Sequence, residues 1–126
     1  MYNQETNALT VGLIRGRHPL PVDEYIFDNA IEDVHDYKAI HDHILAFLQE
    51  KVGMRQAIGQ GINQNDYTNI NIYRNIYRGA KKLVVYVTGL TPVTAELIAA
   101  CAYNGVFLTL MNYNTATGEY VAQEIF

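Results

Sequence analysis

KKLVVYVTGLTPVTAELIAACAYNG, Lys81–Gly105, is the stretch whose reading decides the fold. Leu83 to Val87 is a short apolar run of β-branched and aromatic residues behind two lysines, the pattern of a buried parallel strand. Thr88-Gly89 breaks that run. Thr91-Pro92 then opens a helix, with Thr91 as expected N-cap and Pro92 at the first helical position, where a missing N–H costs nothing. Ala95, Leu97, Ile98, Ala99, Ala100, Cys101 and Ala102 give the helix an apolar, close-packing body, and Asn104-Gly105 ends it with a left-handed C-cap. A second apolar run, Val106 to Met111, completes a βαβ unit. The turn at its top aims backbone N–H groups and a helix N-terminus outward, which suits an anion. Gly89 would either admit that anion or serve helix–strand packing.

Working outward, the 126 residues, 49% of them hydrophobic, fit one domain, 1–126, with a sizeable core. No apolar run reaches bilayer length and the start, MYNQETNALT, lacks a signal-peptide layout, so a cytoplasmic protein without membrane contact is expected. The single cysteine, Cys101, reads as a small core residue in a reducing compartment. A net charge of −4 argues against binding polymeric nucleic acid. All basic residues fall at or before Lys82, so an anion site must draw its cations from the first two thirds of the chain.

Met1 to Ala8 reads as a loose polar tail. Leu9 to Ile14 is a first strand, ending in Arg15-Gly16-Arg17-His18-Pro19-Leu20-Pro21. Gly16 permits a tight or left-handed backbone there. Arg15 and Arg17 then stand at the C-terminal end of a parallel strand, as Thr88-Gly89 does, unless they are simply solvated. Val22 to Val34 reads either as a helix face or as a short strand plus turn. Asp33 to Val52 is a helix, with Ile40, Ile44, Phe47, Leu48 and Val52 at helical spacing. His35, His41 and His43 invite a metal reading, but His41 and His43, two apart, point to different faces, so a solvated helix face is preferred. Met54 to Asn65 reads as a loop. Asp66 to Arg78 reads as a crossover helix aligning Tyr73 with Tyr77 and Arg74 with Arg78. The chain closes with strand Val106 to Tyr113, turn Asn114 to Gly118, and strand Glu119 to Phe126, an antiparallel hairpin. The fold class is therefore α/β: a small single domain, mainly parallel sheet with flanking helices and a C-terminal antiparallel hairpin.

In such sheets ligands bind beyond the carboxyl ends of the strands. That edge is expected to collect Arg15, Gly16, Arg17, His18, Thr88, Gly89, Thr91, Asn112 and Tyr113. Arginines and a helix N-terminus suit phosphate, while Asn and Tyr suit base edges, ribose hydroxyls and ring stacking. A small phosphorylated nucleotide fits this mixture. Catalytic signals are thin: there is no GxSxG, carboxylates are absent from the cluster as placed, and His18 is the one candidate acid or base. No cofactor or metal is implied. Ten tyrosines without tryptophan exceed what one core needs and point to a homo-oligomer.

The segments GLIRGRHPLPVDEYIF, KLVVYVTGLTPVTAELIAAC and LTLMNYNTATGEYVAQEIF together resemble the Thoeris anti-defence sponge family of bacteriophages, the first type described. The resemblance covers most of the chain and is weaker in Asp33 to Arg78. It implies a small oligomeric phage protein acting in the host bacterial cytoplasm. Such proteins sequester an isomer of cyclic ADP-ribose, made by a TIR-domain enzyme, without cleaving it. Members also hold cyclic oligonucleotides of the related CBASS defence, and the family implies pockets between subunits. The site residues above come from local chemistry alone. The expectation is a non-catalytic binder of a cyclic nucleotide. The alternatives are a metal-independent enzyme using His18 to cleave that ligand, and a tyrosine-rich protein-interaction module.

Overall fold

The computed structural model describes residues 2–3, 8–16, 19–52 and 82–126, with Tyr2 and Asn3 as backbone only. The expectations for Met54–Asn65 and Asp66–Arg78, and for Arg17 and His18, lie outside the described residues. Strand β1, Tyr2–Asn3, pairs antiparallel with β2, Ala8–Ile14, so the segment read as a loose tail contributes a strand. Strand β3 is only Tyr25–Phe27, which settles the ambiguous Val22–Val34 stretch as a short strand between loops. Helix α1, Tyr37–Lys51, is followed by β4, Lys82–Tyr86; helix α2, Thr91–Tyr103, leads to β5, Phe107–Asn114; and β6, Glu119–Glu124, closes the described chain.

β2 pairs parallel with both β3 and β4, β4 pairs parallel with β5, and β6 returns antiparallel along β5. The fold is thus α/β, a mainly parallel sheet with flanking helices and a C-terminal antiparallel hairpin, as the sequence pattern implied. The parallel strands run β3-β2-β4-β5 across the sheet. The chain therefore moves from β2 to one edge and later returns to fill the other. Connections leaving β2 and β4 part in opposite directions, and such a divergence opens a crevice above the strand ends.

The core lies between the sheet and the two described helices, which pack against each other and so share one face. Leu9, Val11 and Leu13 of β2, Leu83 and Val85 of β4, and Leu108 and Leu110 of β5 enter it. From α1 come Ile40, Ile44, Phe47 and Leu48, and from α2 come Val93, Leu97, Ala100 and Cys101. The alternation in β4 is strict, with Leu83 and Val85 fully buried and Lys82, Val84 and Tyr86 half-buried. Each fully buried Leu or Val contributes about 1.5–3 kcal/mol.

Caps set the helix limits. Asp36 caps α1, its side chain accepting from the Ala39 N–H at 3.2 Å. Helix α2 ends as expected: Gly105 has φ +68 and the Val106 N–H donates to the Cys101 carbonyl at 3.0 Å, the long bond of a Schellman motif. The start of α2 differs from expectation. Leu90, extended at φ −85 and ψ 95, is the N-cap, and no side chain caps the helix. Thr91 is already helical, so its hydroxyl is carried past the position from which it could reach the second or third N–H.

His35 and His43 are exposed and His41 half-buried, as a solvated face implies, but two of them also make specific contacts. The His43 Nε2–H donates to the Ile26 carbonyl at 2.7 Å, and its ring stacks on Phe27 with centroids 4.2 Å apart. His41 Nδ1 lies 3.5 Å from Glu96 of α2. Both fasten α1 to its neighbours. Among the described residues no group of three or more His, Cys, Asp or Glu is placed to hold a metal. No described helix is long and apolar enough to cross a membrane.

Gly12 carries a constraint that periodicity does not show. A Cβ there would stand 2.6 Å from Cδ1 and Cε1 of Tyr25 and 3.0 Å from Cδ1 of Leu20. The missing side chain lets the Tyr25 ring lie over β2. Gly12→Ala should therefore destabilise the protein by about 1–3 kcal/mol through overpacking. Tyr25→Ala should remove most of that penalty, so urea denaturation of the double variant should fall well short of the two single losses added together.

Candidate functional site

The site is built by unequal strand lengths. In register, Gly12 of β2 and Met111 of β5 both face Tyr86, the last residue of β4. β2 continues through Leu13 and Ile14, and β5 continues through Asn112, Tyr113 and Asn114. β4 thus stops short between two longer neighbours, and Val87-Thr88-Gly89 turns away at the floor of the notch.

A cavity of about 560 Å³ occupies this place. Its floor is Val87, Thr88 and Gly89; Pro19, from the connection after β2, stands on one side. Asn112, Tyr113, Thr115 and Tyr120 of the C-terminal hairpin form the other wall. The volume lies within the range of small-molecule pockets, about 300–1,000 Å³.

Thr88 is 8% exposed, and its hydroxyl oxygen is buried without a hydrogen-bond partner. Gly89 has φ +85, and a Cβ there would meet nothing within 4 Å. Its glycine therefore serves the left-handed turn and an open cavity floor; helix–strand packing makes no demand on it. The first N–H groups of α2 have no intrahelical partner, and Thr94 instead sends its hydroxyl back to the Leu90 carbonyl at 3.1 Å.

The hairpin supplies an aromatic wall. The turn is closed by Gly118, φ +76, whose N–H donates to the Asn114 carbonyl at 2.8 Å, and by the Asn114 side chain accepting from the Ala116 N–H. This register sets Tyr113 opposite Tyr120. Their rings meet edge to face at 5.2 Å, and Tyr120 meets Tyr86 in the same manner at 4.8 Å. Burial, then the neighbouring phenols Tyr113, Tyr86 and Tyr25, raises the Tyr120 pKa above its ordinary value, so at neutral pH it is an uncharged donor. Asn112 donates to Gln123 Oε1 at 2.8 Å across the hairpin, which orients its amide at the rim.

Of the residues expected at the strand ends, Thr88, Gly89, Asn112 and Tyr113 line the cavity. Arg15, Gly16 and Thr91 do not. Gly16 takes the expected left-handed turn, φ +93. Arg15 is turned toward β3: its guanidinium lies 4.5 Å from the Tyr25 ring centroid and 3.4 Å from Asp28 Oδ1. A carboxylate therefore stands at this edge after all, because the parallel pairing of β2 with β3 sets Asp28, next after Phe27, beside Arg15. Pro19, Val87, Thr115 and Tyr120 were missed as lining residues. Tyr120 was legible in principle, since a turn closed between Asn114 and Glu119 fixes its pairing with Tyr113.

Cys101 is fully buried in α2, and burial alone pushes its thiol up to about 12. At neutral pH it is a thiol in the core, as expected, and not a nucleophile. No protein-family model, curated protein or solved structure matches this chain.

Because Thr91 caps nothing, Thr91→Ala should change stability by no more than about 0.5 kcal/mol, against about 1 kcal/mol for a lost cap. Thermal denaturation of the variant beside Asp36→Ala, which removes a real cap, measures the difference directly.

Proposed function

We propose that the protein is a non-catalytic sponge that sequesters a cyclic nucleotide immune signal, a cyclic ADP-ribose isomer or a cyclic oligonucleotide, and so blocks bacterial anti-phage defence. The observation that carries this reading is the strand-end cavity, where Thr88, Gly89, Asn112 and Tyr113 converge. An amide, an open backbone turn and phenol rings are groups that hold a nucleotide by hydrogen bonds and stacking. Tight capture needs slow release, and slow release favours enclosure. A chain this small achieves enclosure most readily when copies of it share the walls of a pocket, so the sponge is a homo-oligomer.

Arg15 is suited to the phosphates. Its pair with Asp28 is exposed, with side chains 51% and 69% accessible, and exposed pairs are worth only about 0–1 kcal/mol. A phosphate with two or three charge-assisted contacts displaces such a partner. The competing enzyme reading rests on His18.

Purified protein is incubated with a panel of cyclic nucleotides, washed, heated to release what it holds, and both fractions are analysed by mass spectrometry. Recovery of intact ligand is the expected result. An altered product would instead favour the enzyme, and no uptake the protein-interaction module. Gly89→Val should stay folded by circular dichroism, since a Cβ there meets no atom within 4 Å. Its backbone strain should cost about 1–2 kcal/mol, and it should lose ligand uptake. A folded Gly89→Val variant that binds as tightly as the parent would place the ligand elsewhere.

A further inference from the structure

We infer that Arg15 is the clamp for the ligand's phosphate and that Tyr25 is its positioning residue, while Asp28 holds the cation until an anion with more contacts replaces it. This deepens the cyclic-nucleotide reading proposed above and rests on it.

Backbone pairing fixes the clamp first. The Gly12 N–H donates to the Glu24 carbonyl and the Arg15 N–H to the Phe27 carbonyl, each at 2.9 Å, so β2 and β3 are tied on either side of Tyr25. The Tyr25 ring then lies across β2, where Gly12 has no side chain to oppose it, and is buried. Arg15 falls in the turn just past β2, where Gly16 is left-handed, and its guanidinium rests over the ring at 4.5 Å from the centroid. A ring held in this way is a fixed shelf. Stacking uses the faces of a guanidinium and leaves its edge, which carries the N–H donors, for an anion.

Asp28 fills that edge poorly. Its Oδ1 lies 3.4 Å from Arg15 Nη2, against about 2.7–2.9 Å for a well-formed charge-assisted bond. Both side chains are more than half exposed, so water and salt screen the pair. A pyrophosphate or phosphodiester offers two oxygens at once and matches the planar fork, which one long carboxylate contact does not. Asp28 also repels an approaching phosphate. It therefore sets a threshold, and an anion binds when its contacts outweigh those of the carboxylate.

The clamp belongs to the same edge as the cavity. Gly12 pairs with Tyr86, and Arg15 follows the one by as many positions as Gly89 follows the other. Tyr25 is also close to the cavity wall: after burial and the phenols of Tyr113 and Tyr86, the Tyr25 phenol raises the pKa of Tyr120, which lines the cavity.

The test titrates pyrophosphate, cyclic ADP-ribose and cyclic di-AMP into the full chain by calorimetry and follows the Arg15 Cδ protons by NMR. Pyrophosphate should bind saturably, and Arg15→Ala should weaken it at least tenfold, the loss expected for hydrogen bonds to a charged group. Tyr25→Leu, checked as folded by circular dichroism, should weaken it about two- to fivefold, the size of an exposed cation–π contact, while Tyr25→Phe, which keeps the ring, should match the parent. In an Arg15→Ala background Tyr25→Leu should have no further effect. An equal loss in both backgrounds, or none in either, overturns the positioning role. Asp28→Asn should tighten binding about two- to fivefold, and weaker binding there overturns its place as competitor. Where Tyr25→Leu does not fold, the Arg15 protons decide: they should lie upfield in the ring current of Tyr25 and remain there when pyrophosphate binds, and a return to the ordinary position overturns the shelf. Parent-like pyrophosphate affinity in Arg15→Ala, or no pyrophosphate binding at all, overturns the clamp; uptake of either cyclic nucleotide then leaves the sponge standing. Pyrophosphate binding governed by Arg15 without uptake of either cyclic nucleotide supports the clamp and overturns the sponge.

Discussion

The early end of β4 is the constraint on which the rest of the structure depends. Leu83 and Val85 are fully buried against both helices, and strand periodicity means a one-residue slip would turn them out of the core. Their burial therefore fixes the register of β4 between β2 and β5. Once that register is set, Tyr86 is the last paired residue and the neighbours overrun it on both sides. The notch, the turn at Gly89 and the exposed start of α2 all follow from this one mismatch of lengths.

The two flanks of the notch are held by different means. On the β5 side the hairpin carries a row of interlocked phenols, and the tight turn after Asn114 keeps Tyr113 and Tyr120 in step. On the β2 side the packing depends on an absence: Gly12 has no side chain, so Tyr25 lies across the strand and Arg15 rests on its ring. The first flank is rigid because rings lock rings. The second is adjustable, because an exposed ion pair to Asp28 is its only charged restraint among the described residues. A ligand with a planar part and an anionic part would meet a fixed wall on one side and a movable cation on the other.

Stability is conceded at the same place. The Thr88 hydroxyl is buried unpaired and α2 starts without a side-chain cap, and both features weaken the free protein locally. Elsewhere the fold satisfies its ends carefully: Asp36 caps α1 and a Schellman motif closes α2.

By itself the sequence determined the elements whose cause is local. Leu83–Val87 and Val106–Met111 read as strands because short β-branched runs between turn residues have no other stable use. Gly89, Gly105 and Gly118 marked turns because their positive φ angles disfavour residues with a side chain. The hairpin and the crossover then brought Thr88, Gly89, Asn112 and Tyr113 to one edge, where they line one cavity. Tertiary structure alone decided the rest. Arg15 meets Asp28, thirteen positions away, because β3 pairs parallel with β2 and both strands end side by side. His43, though exposed, is also tied to a strand, because β3 brings the Ile26 carbonyl within 2.7 Å of its ring. Thr91 loses its cap role because the helix boundary falls one residue earlier, at Leu90. Periodicity specifies which face a residue occupies; which atom it meets there depends on rotamers and on segments distant in the chain, and those are fixed only when the core closes.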